Sequence, residues 1–220
     1  MKEFDQLVAL MARLRGEHGC PWDRLQTTDS LKPMLLEEAY EVIEAIEGQE
    51  QAALREELGD LLLHIVFMAR ICEEEGSFDI RDVVQGLSKK LRRRHPHVFG
   101  DITVAAPEEV EVNWARVKRH EKPQESLMDG VPRHLPALMR ADRLTRRAAE
   151  MGFDWDESEE VWMKLQEELQ EFHVALQEGE SERIHHEFGD ILFTLVNIAR
   201  FIGVEPEGAL RTATDRKSVV

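Results

Sequence analysis

The chain has 220 residues, of which 42% are hydrophobic, and a formal net charge of −16. This hydrophobic content is sufficient for a folded core and argues against a disordered chain. The strong negative charge disfavours sequence-independent binding to nucleic acid or to an anionic membrane.

No segment of the sequence predicts export or membrane insertion. The beginning lacks the apolar stretch of a signal peptide, and the longest strongly apolar run, residues 61–69, is too short to cross a bilayer. Cys20 and Cys72 form neither a CxxC pair nor a disulfide framework, which favours a reducing compartment. We therefore expect a soluble, cytoplasmic protein.

Helical periodicity dominates the chain, and no stretch shows the sustained alternation of a strand, so we expect an all-α fold. The predicted helices, in chain order, are Glu3–His18, Leu31–Gln49, Gln51–Glu75, Ile80–Arg94, Glu108–Glu121, Pro136–Met151, Ser158–Glu178 and Ser181–Ile202. Ser30 and Asp79 are candidate N-caps of the second and fourth. Glycines lie where helix ends are expected, at Gly48, Gly76, Gly152, Gly179 and Gly203.

An acidic pattern occurs twice, with the second copy 130 residues after the first. The first copy comprises Glu37, Glu38, Glu41, Glu57 and Asp60, and the second comprises Glu167, Glu168, Glu171, Glu187 and Asp190. A shorter echo relates Gly19-Cys-Pro-Trp22 to Gly152-Phe-Asp-Trp155. The repeat predicts two related halves, 1–100 and 136–220, separated by a proline-containing linker region with a short helix at 101–135.

The helix that carries Glu37, Glu38 and Glu41 has a simple alternative explanation. These residues share one face, and taken alone that face is better explained as a solvated acidic surface. The next predicted helix argues against a purely solvated acidic surface, because apolar residues surround it except along a narrow stripe of Glu57, Asp60 and His64. Such a helix is expected to be buried, and buried carboxylates need a positive partner.

We therefore predict an antiparallel helix pair with a divalent cation between the two sets of carboxylates. The second copy repeats the stripe with Glu187, Asp190, Thr194 and Asn197. Oxygen ligands without a cysteine cluster or an HExxH motif indicate Mg²⁺ or Mn²⁺ rather than zinc. Asp60 and Asp190 stand where a diiron bundle would carry histidine, which makes iron a poor fit. His64 is equally well explained as a satisfied core histidine or as a group supporting the metal ligands.

These motifs resemble the MazG family of nucleoside triphosphate pyrophosphohydrolases, whose signature is EExxE followed by ExxD. Further stretches fit the longer members with two halves, and the resemblance covers residues from about 5 to 211. They are Gly19–Asp23 with Gln26-Thr27, Lys90–Phe99, Trp114 with Lys118, Leu127–Pro132 and Gly152–Trp155. Thr28 departs from the family's frequent histidine, and the sequence ends with Arg216-Lys217-Ser-Val-Val220 where relatives usually continue into a basic, aromatic helix.

The resemblance implies two tandem MazG-like halves with cores of the four-helix-bundle type, completed by dimerisation into a homodimer. It also implies Mg²⁺-dependent (Mn²⁺ being an alternative) hydrolysis of NTPs or dNTPs to the monophosphate and pyrophosphate. Carried over to this sequence, all ten carboxylates of the two copies would be metal ligands. The general base would be one of the glutamates, and Glu38, Glu41, Glu168 and Glu171 are the candidate catalytic residues.

Several other residues are candidates for substrate binding, namely Lys164, Asn197, Trp155, Lys90, Arg93 and Arg94. A solvated charge run is an equally good explanation of residues 89–94, and a position in the core is the commoner role for an isolated tryptophan. Lys164 and Asn197 align with Met34 and Phe67 of the first copy, so we expect the second copy to be the main catalytic site. A narrower substrate (dUTP, dCTP or phosphoribosyl-ATP) and a non-catalytic, metal-stabilised scaffold for a basic partner are the alternatives.

Overall fold

The computed structural model describes residues 2–100, 104, 106, 109, 110, 113, 114, 117 and 130–218. Every regular element in these residues is an α-helix, which confirms the all-α prediction. The helices are α1 (Lys2–Leu14), α2 (Pro21–Leu25), α3 (Lys32–Glu47), α4 (Gln51–Glu74), α5 (Ile80–Arg94), α6 (Pro96–Phe99), α7 (Ala137–Glu150), α8 (Ser158–Glu178), α9 (Ser181–Phe201) and α10 (Pro206–Ser218). The helix predicted at Glu108–Glu121 falls mostly outside the described residues.

The fold divides into two compact units, Met1–Glu121 and Lys122–Val220. Each unit contains one copy of the acidic pattern, as the repeat predicts. The finer division into halves with a linker at 101–135 stays a prediction. No helix in the described part of the chain is both long and apolar enough to span a membrane.

In the first unit, α3 and α4 form a helical hairpin, and α1 and α5 pack on α4. The buried core is formed by Met11, Leu31, Val66, Phe67 and Ile71. The first helix ends at Leu14, not at His18, because the chain turns back on itself there. The Cys20 amide donates to the Leu14 carbonyl at 2.7 Å, and a Cβ atom at Gly19 would lie 2.0 Å from that same oxygen.

In the second unit, α8 and α9 form the corresponding pair, and α7 packs on both α9 and α10. Val161, Leu165, Ile191 and Ile198 form its buried core, with the Phe172 and Phe201 side chains packed against them. Gly179 ends α8 with φ = 74°, a left-handed conformation that glycine adopts without a steric penalty.

The two predicted N-caps have different outcomes. Asp79 caps α5 as expected: its carboxylate accepts from the Arg81 and Asp82 amides at 2.7 and 3.0 Å, and Asp82 accepts from the Asp79 amide in return. The prediction for Ser30 is wrong. Residue 31 is the N-cap of α3, and the Ser30 hydroxyl instead accepts from the amide of Thr27 in the preceding turn.

The final helix, α10, was absent from the predicted elements because its sequence is polar and lacks an apolar stripe. Its start nevertheless carries recognisable signals. Pro206 occupies the first turn, and the Glu205 carboxylate accepts from the amides of Glu207 and Gly208. These are a favourable first residue and an acidic cap for a helix N-terminus.

The long helices α4 and α9 are less buried than their composition predicts. Leu58 and Ile65 on α4 are 50% and 42% exposed, and Phe188 on α9 is 51% exposed. The prediction of burial on nearly every side is therefore wrong for the single chain, because the packed helices cover only part of each circumference. Each long helix presents a continuous apolar strip to solvent.

Candidate active site

The helix pair of the first unit brings together three of the five predicted carboxylates. Ligand oxygens of Glu38 and Glu41 on α3 and of Glu57 on α4 all lie within 4.8 Å of one another. Glu37 and Asp60 are not part of this set; Glu37 is exposed and Asp60 is half-buried. The antiparallel arrangement that places the EExxE glutamates opposite the ExxD motif is thus present.

Desolvation and then mutual repulsion raise the pKa of two carboxyl groups in this first cluster. Desolvation by the surrounding protein raises the pKa of Glu41, and the neighbouring charges of Glu38 and Glu57 raise it further. The pKa of Glu57 is raised by partial burial and then by the charge of Asp60. The buried His64 places Nε2 3.5 Å from a Glu38 oxygen, and its Nδ1 has no hydrogen-bond partner among the described residues.

The second unit repeats the arrangement with Glu168 and Glu171 on α8 and Glu187 on α9, whose ligand oxygens again lie within 4.8 Å of one another. Here the central glutamate is buried, since Glu168 is only 6% exposed. Glu167 and Asp190 are outside the set and exposed. Three convergent carboxylates, one of them buried, form a donor set suited to a hard divalent cation.

Two cations hold the carboxylates of the second cluster. Lys164 Nζ lies 2.8 Å from Glu167 and 3.0 Å from Glu168, and these contacts raise the pKa of Lys164. Arg183 Nε lies 3.5 Å from Glu187, and the guanidinium also pairs with Glu178. The aligned positions of the first copy are Met34 and Ala53. The role of Arg183 was missed in the sequence, although its spacing of four residues from Glu187 on one helix was a legible signal.

A cavity of about 160 Å³ opens beside this cluster. It is lined by Trp155, Val161, Lys164, Glu168, Asp190, Phe193, Thr194 and Asn197. The structure therefore brings three predicted substrate-binding residues, Lys164, Asn197 and Trp155, to one cavity next to the carboxylates. Apolar walls with a few convergent polar groups are typical of small-molecule sites.

The basic residues predicted to bind phosphates in the first unit lie on α5. Lys90 and Arg93 are exposed there, and the Arg94 guanidinium lies 5.4 Å from the centre of the Trp114 ring. No ion pair between described residues joins Lys90 to Glu38, Glu41 or Glu57. A phosphate-binding role for these three basic residues stays a prediction.

Comparisons with known proteins agree with this geometry. Residues 26–99 match the model of the MazG nucleotide pyrophosphohydrolase domain. Over 213 residues the chain is 46% identical to the nucleoside triphosphate pyrophosphohydrolase/pyrophosphatase MazG of Thermotoga maritima, covering 96% of this chain and 81% of the relative. The chain belongs to the MazG family. The expectation of a nucleotide pyrophosphohydrolase is thereby confirmed.

A second relative extends the MazG assignment over nearly the whole chain. The nucleoside triphosphate pyrophosphohydrolase of Escherichia coli K12 is 43% identical over 222 residues, covering 98% of this chain and 84% of that relative. Residues 141–217 match the model described as phosphoribosyl-ATP pyrophosphohydrolase. A crystal structure of a mazG-related protein from T. maritima aligns with 52% of this chain and 98% of its own, at 28% identity and a TM-score of 0.46.

Proposed function

We propose that this MazG protein hydrolyses nucleoside triphosphates, including deoxynucleoside triphosphates, to the monophosphate and pyrophosphate at the second acidic cluster. The observation that carries the proposal is the convergence of Glu168, Glu171 and Glu187 beside a cavity that also contains Lys164. The names of the T. maritima and E. coli relatives support the same activity.

Glu168, Glu171 and Glu187 would hold Mg²⁺ or Mn²⁺, and Glu167 and Asp190, which lie outside this set, would be further ligands. When bound, such an ion neutralises phosphate charge and lowers the pKa of an attacking water. The oxygen-only donor set fits these hard cations better than zinc.

The chain's own residues supply the remaining functions. Lys164 is placed to bind phosphate oxygens, because it lines the cavity and its ammonium lies beside Glu168. One of Glu168 and Glu171 accepts a proton from the water that attacks the α-phosphorus, and pyrophosphate leaves. Trp155 and Phe193 give the cavity apolar walls for the nucleoside.

In this proposal the first cluster is a weaker or structural metal site. Glu38, Glu41 and Glu57 converge as closely as their counterparts, but the positions of Lys164 and Asn197 are apolar there. Without a cation to bind phosphate oxygens, a metal held by this cluster lacks the partner that orients a triphosphate.

A second candidate substrate is phosphoribosyl-ATP, which the match of residues 141–217 favours. This compound is also cleaved to a monophosphate and pyrophosphate, so both candidates use the same carboxylates. They differ only in the nucleoside part that the cavity must accept.

We also infer a homodimer of C2 symmetry in a reducing, cytoplasmic environment. The exposed apolar strips on α4 and α9 are suited to burial against a second copy, and both cysteines are free. Light scattering at micromolar concentration should give twice the chain mass. A monomer with full activity would contradict the dimer.

The decisive experiment for the activity is a panel of NTPs, dNTPs and phosphoribosyl-ATP assayed for pyrophosphate release with Mg²⁺. We expect hydrolysis to vanish in EDTA and to return with Mg²⁺ or Mn²⁺, because the carboxylates repel one another and the triphosphate without the ion. Hydrolysis that persists in chelator would contradict metal dependence. Release of orthophosphate and a diphosphate would contradict attack at the α-phosphorus.

A further inference from the structure

We propose that Arg200 is a positioning residue: held by Asp154, it orients the Asn197 side chain so that the amide NH₂ group faces the cavity and donates to the bound nucleotide. The inference rests on the proposed function of the second cluster and adds a determinant of nucleotide binding to it.

The orientation of Asn197 follows from the chemistry of its partner. Arg200 Nε and Nη2 donate to Asn197 Oδ1 at 3.0 and 2.8 Å. A guanidinium has only donors, so the carbonyl oxygen of the amide must face it and the NH₂ group must face away. Asn197 is 8% exposed and lines the cavity that Lys164 and Glu168 also line. A buried donor aimed at a ligand cavity selects for an acceptor on the ligand.

Arg200 is itself held in place from two directions. Its Nη1 donates to Asp154 Oδ2 at 2.9 Å and its Nη2 contacts the other carboxylate oxygen, so the pair is bidentate. The guanidinium also lies 4.5 Å from the centre of the Phe201 ring. The hydrogen bond from Arg200 lowers the pKa of Asp154, which keeps the pair charged near neutral pH.

The same contacts connect Asn197 with the tryptophan on the cavity wall. The Trp155 amide donates to Asp154 Oδ1 at 3.0 Å, and Trp155 lines the cavity. One chain of hydrogen bonds therefore runs from the Trp155 loop through Asp154 and Arg200 to the Asn197 amide. Arg200 thereby links the loop before α8 to the end of α9.

The first unit contains the equivalent arginine without the relay. Arg70 occupies the position of Arg200, but Asn197 is replaced by Phe67, and Asp154 by Pro21 in the shorter repeat. Arg70 instead pairs with Glu74 at 2.8 Å and with Glu73 at 3.0 Å. The relay is thus a property of the second unit, and Arg70 is a matched control.

The position of Asn197 along α9 indicates which part of the nucleotide it contacts. Asn197 lies seven residues after Asp190, which at 1.5 Å per residue is roughly 10 Å along the helix axis. With the phosphates at the carboxylates and Lys164, the amide meets the nucleoside end. Its partner is an acceptor oxygen or ring nitrogen of the sugar or base.

The test is a double-mutant cycle on nucleotide affinity in the full chain with Mg²⁺. The probe is the α,β-imido analogue of the nucleotide that the wild type hydrolyses fastest, titrated by calorimetry. We expect Arg200→Gln and Asn197→Ala each to weaken binding about tenfold, the loss of one buried hydrogen bond, and the double variant to be no weaker than Asn197→Ala alone. In turnover, KM should rise much more than kcat falls.

Two further variants separate the relay from a general loss of structure. Asn197→Asp keeps the contact with Arg200 but removes the NH₂ donor, so it should fold as the wild type does and bind the probe at least tenfold more weakly. Arg70→Gln should leave affinity unchanged. Additive effects of Arg200→Gln and Asn197→Ala, or unchanged affinity of Asn197→Asp, would overturn the inference alone. A wild type that neither binds nor hydrolyses any nucleotide would contradict the proposed function, and the inference with it.

Discussion

The two units build the same carboxylate triad on the same helix pair but surround it with different neighbours. In the first unit, Glu38 lies beside the His64 imidazole, and desolvation together with repulsion raises the pKa of both Glu41 and Glu57. In the second unit, Lys164 and Arg183 pair with the glutamates, and a cavity adjoins them.

The comparison shows that the EExxE and ExxD spacing determines where the carboxylates converge. It does not determine which ligand the cluster can bind. A cluster of carboxylates alone can bind a cation. Binding of an anionic substrate also requires positive groups that contact its phosphates. In the proposed function, the neighbours one helical turn away, Lys164 against Met34 and Arg183 against Ala53, determine which cluster can accept a triphosphate.

The largest expected effect comes from matched substitutions in the two units. Glu171→Gln and Asp190→Asn should lower kcat/KM by at least about a hundredfold, since even residues outside the ligand shell cost up to that much in metal affinity or activity. Glu41→Gln and Asp60→Asn should leave a substantial fraction of the wild-type kcat/KM. The measurement is pyrophosphate release by proteins whose circular dichroism matches that of the wild type. Equal loss in both units would refute the assignment of the active site to the second unit.

Lys164→Met gives the second unit the residue found in the first. Loss of a charge-assisted contact of about 1.5–3 kcal/mol predicts a fall in kcat/KM of roughly 10- to 150-fold. The reciprocal change, Met34→Lys, should not restore activity to a Glu171→Gln protein, because the first unit still has Phe67 at the position of Asn197. Steady-state kinetics on both proteins test this, and an unchanged rate for Lys164→Met would remove Lys164 from the site.

The smallest effect is a dependence of stability on pH in the first unit. Because the folded-state pKa of Glu57 is raised, its ionised form disfavours folding. This penalty is absent below the usual glutamate pKa of about 4.3 and grows as pH rises through the raised value. In EDTA at pH 7, Glu57→Gln should therefore raise Tm by about 1–2 °C, and the gain should disappear near pH 4.

Glu187→Gln is the control for that measurement, since Arg183 pairs with Glu187 in the second unit. It should give no gain in Tm, because a favourable partner is lost together with the repulsion. Calorimetric scans of the two variants between pH 4 and pH 8 make the comparison. An equal gain from both substitutions would show that the two clusters are electrostatically alike.

Much of the fold was predictable because it depends on local patterns. Helix periodicity located the long helices, and Asp79 was predicted as an N-cap that forms. Ser30 does not cap α3, because its hydroxyl accepts a hydrogen bond from the Thr27 amide in the turn before the helix. Exposure of Leu58 and Phe188 could not be predicted, since it depends on which helices pack where.

Part of the candidate site could be predicted from the sequence, because the acidic pattern occurs in two copies with the same spacing. The carboxylates and Lys164 could be identified from their register, and Arg183 could have been, from its spacing to Glu187. The pairing of Asp154 with Arg200 could not, because 46 residues separate them and only tertiary packing brings them together. Contacts of this kind require the structure.

The most direct measurement is a crystal structure of the wild-type protein with Mg²⁺ and an α,β-imido nucleoside triphosphate. The account predicts metal and phosphate density between Glu168, Glu171 and Glu187, with Lys164 on the phosphates. Nucleotide bound at Glu38, Glu41 and Glu57, with the second cluster empty, would contradict it.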